Sequence, residues 1–173
     1  MSDALLPLLA AALDARAELV PRLHAERTDA YRLFHGSVEG HPGLTPVYND
    51  RSQANSRIGN PLPPDRLEAA MMPREMHEMG VSYRIAGRHA GQDPWLFLDL
   101  RAARRRVMRE VPGKSLLNLF AYTCGVGIAA AKAGARFVVN VDFAESSLQV
   151  GKENARLNEL PVRPRFVLAM PSP

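Results

Sequence analysis

Asn118-Leu-Phe-Ala-Tyr-Thr-Cys-Gly-Val-Gly127 is the stretch whose reading decides the fold. Ser115-Leu-Leu-Asn-Leu-Phe120 has the length and apolarity of a buried strand, and Tyr122 to Gly127 follows as a glycine-bearing loop. Ile128 to Ala133 continues as a helix of small residues that ends at Gly134. Arg136-Phe-Val-Val-Asn-Val141 is a second apolar strand, closed by Asp142. Helical composition over 144–160, with Leu148, Gly151/Lys152, Ala155 and Leu160 as its inner face, leads to a third strand from Arg165. The result is β-α-β-α-β, the alternation of a parallel sheet with helices packed on its faces. No internal repeat interrupts it.

Each part of Gly125-x-Gly127-x-x-Ala130 has a physical reason to precede a ligand. Glycines let the chain turn tightly and let backbone amides approach a bound group with no Cβ between them. Asp142 ends the next strand, where a carboxylate accepts both hydroxyls of a ribose, and Phe143 stands next in line to pack on an adenine. The ligand class read from these residues is adenosine-containing. An NAD(P) dinucleotide is one member of it, although Ala130 occupies the place of its third glycine.

Outward from this core the chain sets bounds on function. It has 173 residues, 46% of them hydrophobic, enough for one modest core. A single cysteine, Cys124, leaves no intramolecular disulfide and no cysteine-rich zinc site, and the expectation is no metal. No run approaches the roughly 20 apolar residues of a membrane span. The start, Met-Ser-Asp3-Ala-Leu-Leu, lacks the basic head of a signal peptide, so the expected location is the cytoplasm. A net charge of +4 and a pI near 9.6 point to an acidic partner such as RNA. Arginine dominates, with lysine only at 114, 132 and 152. In Arg101-Ala-Ala-Arg-Arg-Arg-Val-Met-Arg109 a helix places 101, 105 and 109, with 104 beside them, on one cationic stripe, and Arg104 to Arg106 read equally well as a solvated face.

Upstream, residues 3–24 carry Leu5, Leu9 and Leu13 at helical spacing up to Pro21. Residues 31–40 read as a strand, 46–64 as a polar loop, and 65–79 as a short helix whose methionines fill a core. Val81 to Gly87 alternates like a strand, and Asp99 stands where an N-cap for the arginine-rich helix belongs. The domain division expected is 1–90, a helix with a reduced β-rich region, and 91–173, the nucleotide-type half-domain.

With these residues in place, the sequence resembles a known family. The 118–127 stretch is similar to motif I of S-adenosylmethionine-dependent methyltransferases, in the bacterial 23S rRNA large-subunit type that modifies cytosine at C5. Trp95-Leu-Phe-Leu-Asp-Leu-Arg101-Ala-Ala-Arg104 resembles the block before the family's first Rossmann strand, with Leu100 in place of a glutamine. Val138 to Asp142 with Ser146, Glu153, Asn154 and Asn158 resembles its second strand and following helix. Thr28 to Gly36 and Glu39 to Thr45 resemble the start of its small β-rich domain. The resemblance implies a partial Rossmann-like parallel sheet with helices on both faces and S-adenosylmethionine as cofactor. It implies an RNA substrate, that of rRNA. Tyr122, Thr123, Gly125 and Gly127 would shape the methionine end of the pocket, Asp142 would hold the ribose, Phe143 would touch the adenine, and Arg101 would reach the cofactor carboxylate or brace the loop.

Cys124 is a poor candidate for the nucleophile a C5-methyltransferase needs, because no histidine or lysine is placed to lower its pKa. The family's nucleophilic cysteine lies far downstream, so no catalytic residue is assigned in this chain. The resemblance implies that an internal block of the β-rich domain is missing after Thr45, and that a fourth strand ending in an Asp-Pro-Pro type motif, expected after the third, is replaced by Met170-Pro-Ser-Pro173. The expectation is an incomplete enzyme whose first strand, lacking a neighbour, exposes an edge open to self-association. Two other readings stand beside it: an NAD(P)-binding half-Rossmann fragment of an oxidoreductase, and a basic RNA-binding protein without cofactor.

Overall fold

The computed structural model describes residues 5–32, 45–48, 53–55, 72–86 and 95–169. They fall into two compact units, 1–80 with 86–93, and 81–85 with 94–173. In the first unit the expected single N-terminal helix is two, α1 (Leu5–Asp14) and α2 (Leu19–Ala25). Pro21 starts no new segment. It sits in the first turn of α2, where the missing N–H has no intrahelical acceptor to lose. Strands β1 (Tyr31–Arg32), β2 (Thr45–Tyr48) and β3 (Gln53–Asn55) pair antiparallel in that order. Two of these strands lie inside or border the segment read as polar loop. Strand pairing uses backbone groups, so a short antiparallel ladder forms without an apolar period to announce it. The rest of the expected strand over 31–40 falls outside the described residues.

Strand β4 (Arg74–Glu78) replaces the end of the helix expected over 65–79. Alternation decides it: Met76 and Glu78 are buried while Arg74, Glu75 and His77 are not. Met76 is core filler as expected, whereas Met72 is exposed. Asp29 ties this strand to the chain after α2, its carboxylate accepting the His77 N–H at 2.6 Å and meeting Nδ1 at 2.7 Å.

The second unit starts from β5 (Val81–Ile85), whose Val81, Tyr83 and Ile85 are buried. A single 3₁₀ turn, Leu98–Leu100, leads into α3 (Arg101–Glu110), so Asp99 caps no helix. Then follow β6 (Ser115–Leu119), α4 (Gly125–Lys132), β7 (Phe137–Asp142), α5 (Glu145–Arg156) and β8 (Arg165–Leu168). The three strands are parallel in the order β6-β7-β8, with Asn118 opposite Asn140 and Asn140 opposite Phe166. The α/β class and the Rossmann-like sheet are those expected.

Both crossover helices of the described segment lie on the face that carries these three residues. A Cβ on Gly127 of α4 would meet Asn140, and one on Gly151 of α5 would meet Cys124 and Phe166. The core joins Val111, Ala130, Ala131, Ala135 and Val138, with Val107 and Leu116 packed against them. The other face shows Leu117 at 62% and Leu119 at 55% exposure, on a strand at the sheet edge.

Candidate cofactor site

The loop between β6 and α4 is held in a conformation that side-chain sterics disfavour. Phe120, Tyr122 and Cys124, none of them glycine, have φ of +51°, +50° and +63°. Each such residue costs on the order of 1 kcal/mol, so surrounding contacts must fix it. They are on hand. Ala121 N–H donates to Val141 O at 3.0 Å, and Cys124 N–H donates to Ala121 O at 2.7 Å. The Thr123 hydroxyl donates to the Trp95 carbonyl, and Tyr83 Oη donates to Gly125 O at 3.2 Å.

Asp142, at the tip of β7, is the centre of this arrangement and is 7% exposed. Its Oδ2 accepts the Tyr122 N–H at 2.7 Å and its Oδ1 the Ala144 N–H at 2.8 Å. The second bond is a local Asx turn that starts α5. A carboxylate offers about four acceptor positions, so two remain for an incoming pair of hydroxyls. Phe143 and Phe120 flank it with 58% and 83% exposure, and the Tyr122 ring lies 5.4 Å from that of Phe97.

The predicted residues therefore separate. Asp142, Tyr122 and Phe143 come together at the C-terminal ends of β6 and β7. Thr123 is buried with its hydroxyl committed to Trp95, so it offers a surrounding ligand no free hydroxyl proton. Gly127 faces Asn140, whose Oδ1 would lie 1.9 Å from an added Cβ, and Gly125 faces Leu96 at 2.8 Å. Gly127 thus permits close helix–sheet packing, and Gly125 lets Leu96 approach the start of α4. Arg101 opens α3 and is half-buried.

The cationic stripe divides as well. Arg104 is 1% exposed and donates to the Phe97 carbonyl at 2.8 Å, so it is neither solvated nor free to meet a ligand. It follows from position: 104, 107, 108 and 111 form the inward stripe of α3, and a guanidinium there is stabilised by a backbone acceptor. Arg101 and Arg105 are half-buried, leaving Arg109 of the stripe exposed.

Cys124 is fully buried, and burial, with the Asp142 charge behind it, pushes its thiol up to about 12. At neutral pH it is a packed apolar group and no nucleophile. Asn154, by contrast, was legible only as part of a resemblance. Fully buried on α5, it accepts the Arg84 N–H at 2.7 Å through Oδ1 and donates to Thr123 O at 3.0 Å through Nδ2. One amide thus ties β5 to the loop. One turn on, Asn158 accepts the Ser82 N–H at 2.9 Å and donates to its carbonyl at 2.8 Å. The available signal was the spacing of 151, 154 and 158 on the inner face of α5, in place of the expected Ala155.

A parallel sheet with a strained loop after one strand and a buried acid at the tip of the next defines a nucleotide-type cofactor domain, and the class can be stated. The family model described as S-adenosylmethionine-dependent methyltransferase matches residues 32–166, and the chain belongs to that family. S-adenosylmethionine is the family's cofactor. Among relatives, the chain is 38% identical over 95 residues to "Ribosomal RNA large subunit methyltransferase I" of Aeromonas salmonicida, covering 55% of this chain and 24% of that protein. It is 47% identical over 70 residues to "Ribosomal RNA large subunit methyltransferase K/L" of Psychrobacter arcticus, covering 40% and 9%. The chain thus matches a quarter or less of the length of these relatives. In fold it is similar to a Streptococcus mutans protein described as a SAM-dependent methyltransferase, with a TM-score of 0.75 and 22% identity over 95% of this chain and 51% of that one. A second structure, described as a methyltransferase complexed with SAH, gives a TM-score of 0.73 and 21% identity, covering 94% and 50%. Among the described residues no helix is long and apolar enough to cross a membrane.

Proposed function

We propose that this chain holds S-adenosylmethionine at the 120–127 loop and Asp142, as the cofactor-binding part of an rRNA methyltransferase of the cytosine-5 type. The observation that carries the reading is Asp142: a buried carboxylate locked on Tyr122 and Ala144 by one bond per oxygen, with acceptor capacity left for a ribose diol. Phe143 supplies an exposed ring beside it for the adenine. Tyr122 lines the approach from the loop, Gly125 lets the backbone turn there against Leu96, and Arg101 lies at the start of α3 to meet a carboxylate. Thr123 and Gly127 serve by packing. The cofactor's part is an electrophilic methyl group.

The family match favours this reading over an NAD(P)-dependent oxidoreductase. RNA as the acceptor is supported by the names of the relatives and by the positive charge. C5 chemistry needs a thiolate to add to the pyrimidine, and the chain's single cysteine is buried and protonated. The nucleophile is therefore supplied from outside these 173 residues.

Calorimetry with S-adenosylhomocysteine and, separately, with NADH tests the cofactor. Binding of S-adenosylhomocysteine alone is expected, weakened roughly ten- to a hundredfold by Asp142→Ala, the worth of a lost charged hydrogen-bonding partner. Binding of NADH alone would overturn the reading. Transfer of a labelled methyl group to 23S rRNA fragments by the isolated chain would overturn the assignment of the nucleophile elsewhere.

A further inference from the structure

The end of the sheet remote from the glycine loop gathers positive charge that the cofactor site does not use. Lys114, Arg136 and Arg165 stand at the starts of β6, β7 and β8, and all three are exposed. The Arg136 N–H donates to Lys114 O at 2.7 Å, and Val139, two residues into β7 from Phe137, is opposite Arg165. The Arg165 guanidinium carbon lies 5.0 Å from the Phe137 ring centroid, and that ring is 36% exposed. Arg109 joins them at the end of α3. Two acids stand on these turns, Glu110 and Glu159; Glu110 is paired with Arg106 at 2.9 Å, and its carboxyl is held below the usual range first by Arg106 and then also by Lys114 and Arg109.

We infer that Lys114, Arg136, Arg165 and Phe137 form a second RNA contact, a single-strand binding surface at the opposite end of the sheet from the cofactor loop. Charge alone suits any polyanion. An exposed ring with a guanidinium over it is a stacking plane, which bases recognise and a plain polyanion does not. A five-residue strand separates the two ends by about 15 Å, within reach of one RNA segment. The acceptor class rests on the proposed RNA substrate, while the surface itself does not depend on the cofactor reading.

The test uses the full chain and a labelled single-stranded RNA 12-mer, with anisotropy titrations from low to high salt. In Lys114→Ala/Arg136→Ala/Arg165→Ala the slope of log K against log salt should become shallower by about 2, near 0.7 per lost phosphate contact. Affinity at low salt should fall at least tenfold, and S-adenosylhomocysteine binding should be unchanged. Should the triple variant not fold, each single variant reads its own share of the slope. Phe137→Ala should weaken RNA binding severalfold and leave heparin, a polyanion without bases, unaffected. An unchanged salt slope would overturn the surface, and equal loss of heparin and RNA in Phe137→Ala would make it a site for any polyanion. Absence of S-adenosylhomocysteine binding in the parent, with the slope still responding, would sink the cofactor reading alone.

Discussion

Asn154→Ala removes the buried amide that joins the β5 backbone to the strained loop. It leaves the Arg84 N–H and the Thr123 carbonyl without their partner, at 2.7 and 3.0 Å in the parent. An unsatisfied buried group costs about 1–3 kcal/mol, so the pair is worth roughly 2–6 kcal/mol, a large part of a domain's stability. Asn158→Ala is the natural comparison. It also breaks two bonds to one strand, but Asn158 is half-buried and water can replace it, so about 1 kcal/mol is expected. Asn154→Asp separates donor from acceptor. Its new oxygen would face the Thr123 carbonyl, which disfavours the ionised form and raises the folded-state pKa above the unfolded value of about 4. When protonated, it can donate to that carbonyl. Its penalty relative to the parent should therefore be least below about pH 4 and should grow as pH rises through the folded pKa. Urea unfolding followed by fluorescence of Trp95, the only tryptophan and a member of the same unit, reads all three variants. A loss under about 0.5 kcal/mol in Asn154→Ala, or no pH dependence in Asn154→Asp, would refute the coupling.

Two further outcomes follow from packing and charge. Gly127→Ala would place a Cβ 1.9 Å from Asn140 Oδ1, and Asn140 is itself held by Asn118 at 2.9 Å. Overpacking of about 3 kcal/mol should outweigh the ~1 kcal/mol gained in helix propensity, and Asn140→Ala in the same chain should recover part of the loss in a double-mutant cycle. For Cys124, a folded pKa of about 12 against an ordinary 9.0 means that the neutral thiol's contribution is fully present below pH 9 and lost above it. Stability should fall by about 1 kcal/mol per pH unit more in the parent than in Cys124→Ala between pH 9 and 11, as measured by urea unfolding. Parallel curves would show that the thiol is not shielded.

Legibility followed the range of the interactions. The strands at 115–119 and 137–142 and the turn between β6 and α4 are written in apolar runs and glycines a few residues apart, and they stand where the sequence places them. Arg104 was misjudged because its charge outweighed its position among Val107, Met108 and Val111 on one stripe. Strands β2 and β3 were missed because backbone pairing needs no apolar signature.

By itself the sequence determined the class: a strand, a glycine loop, a helix and an acid at the next strand tip need only local chemistry to be recognised. Only the tertiary structure decided what those residues do. Gly127 turned out to make room for Asn140, thirteen residues on, and Thr123 to be fixed by Trp95 and Asn154 from either side along the chain. Contacts between residues far apart in sequence set those roles, because a side chain's function depends on which groups reach it once the chain has folded.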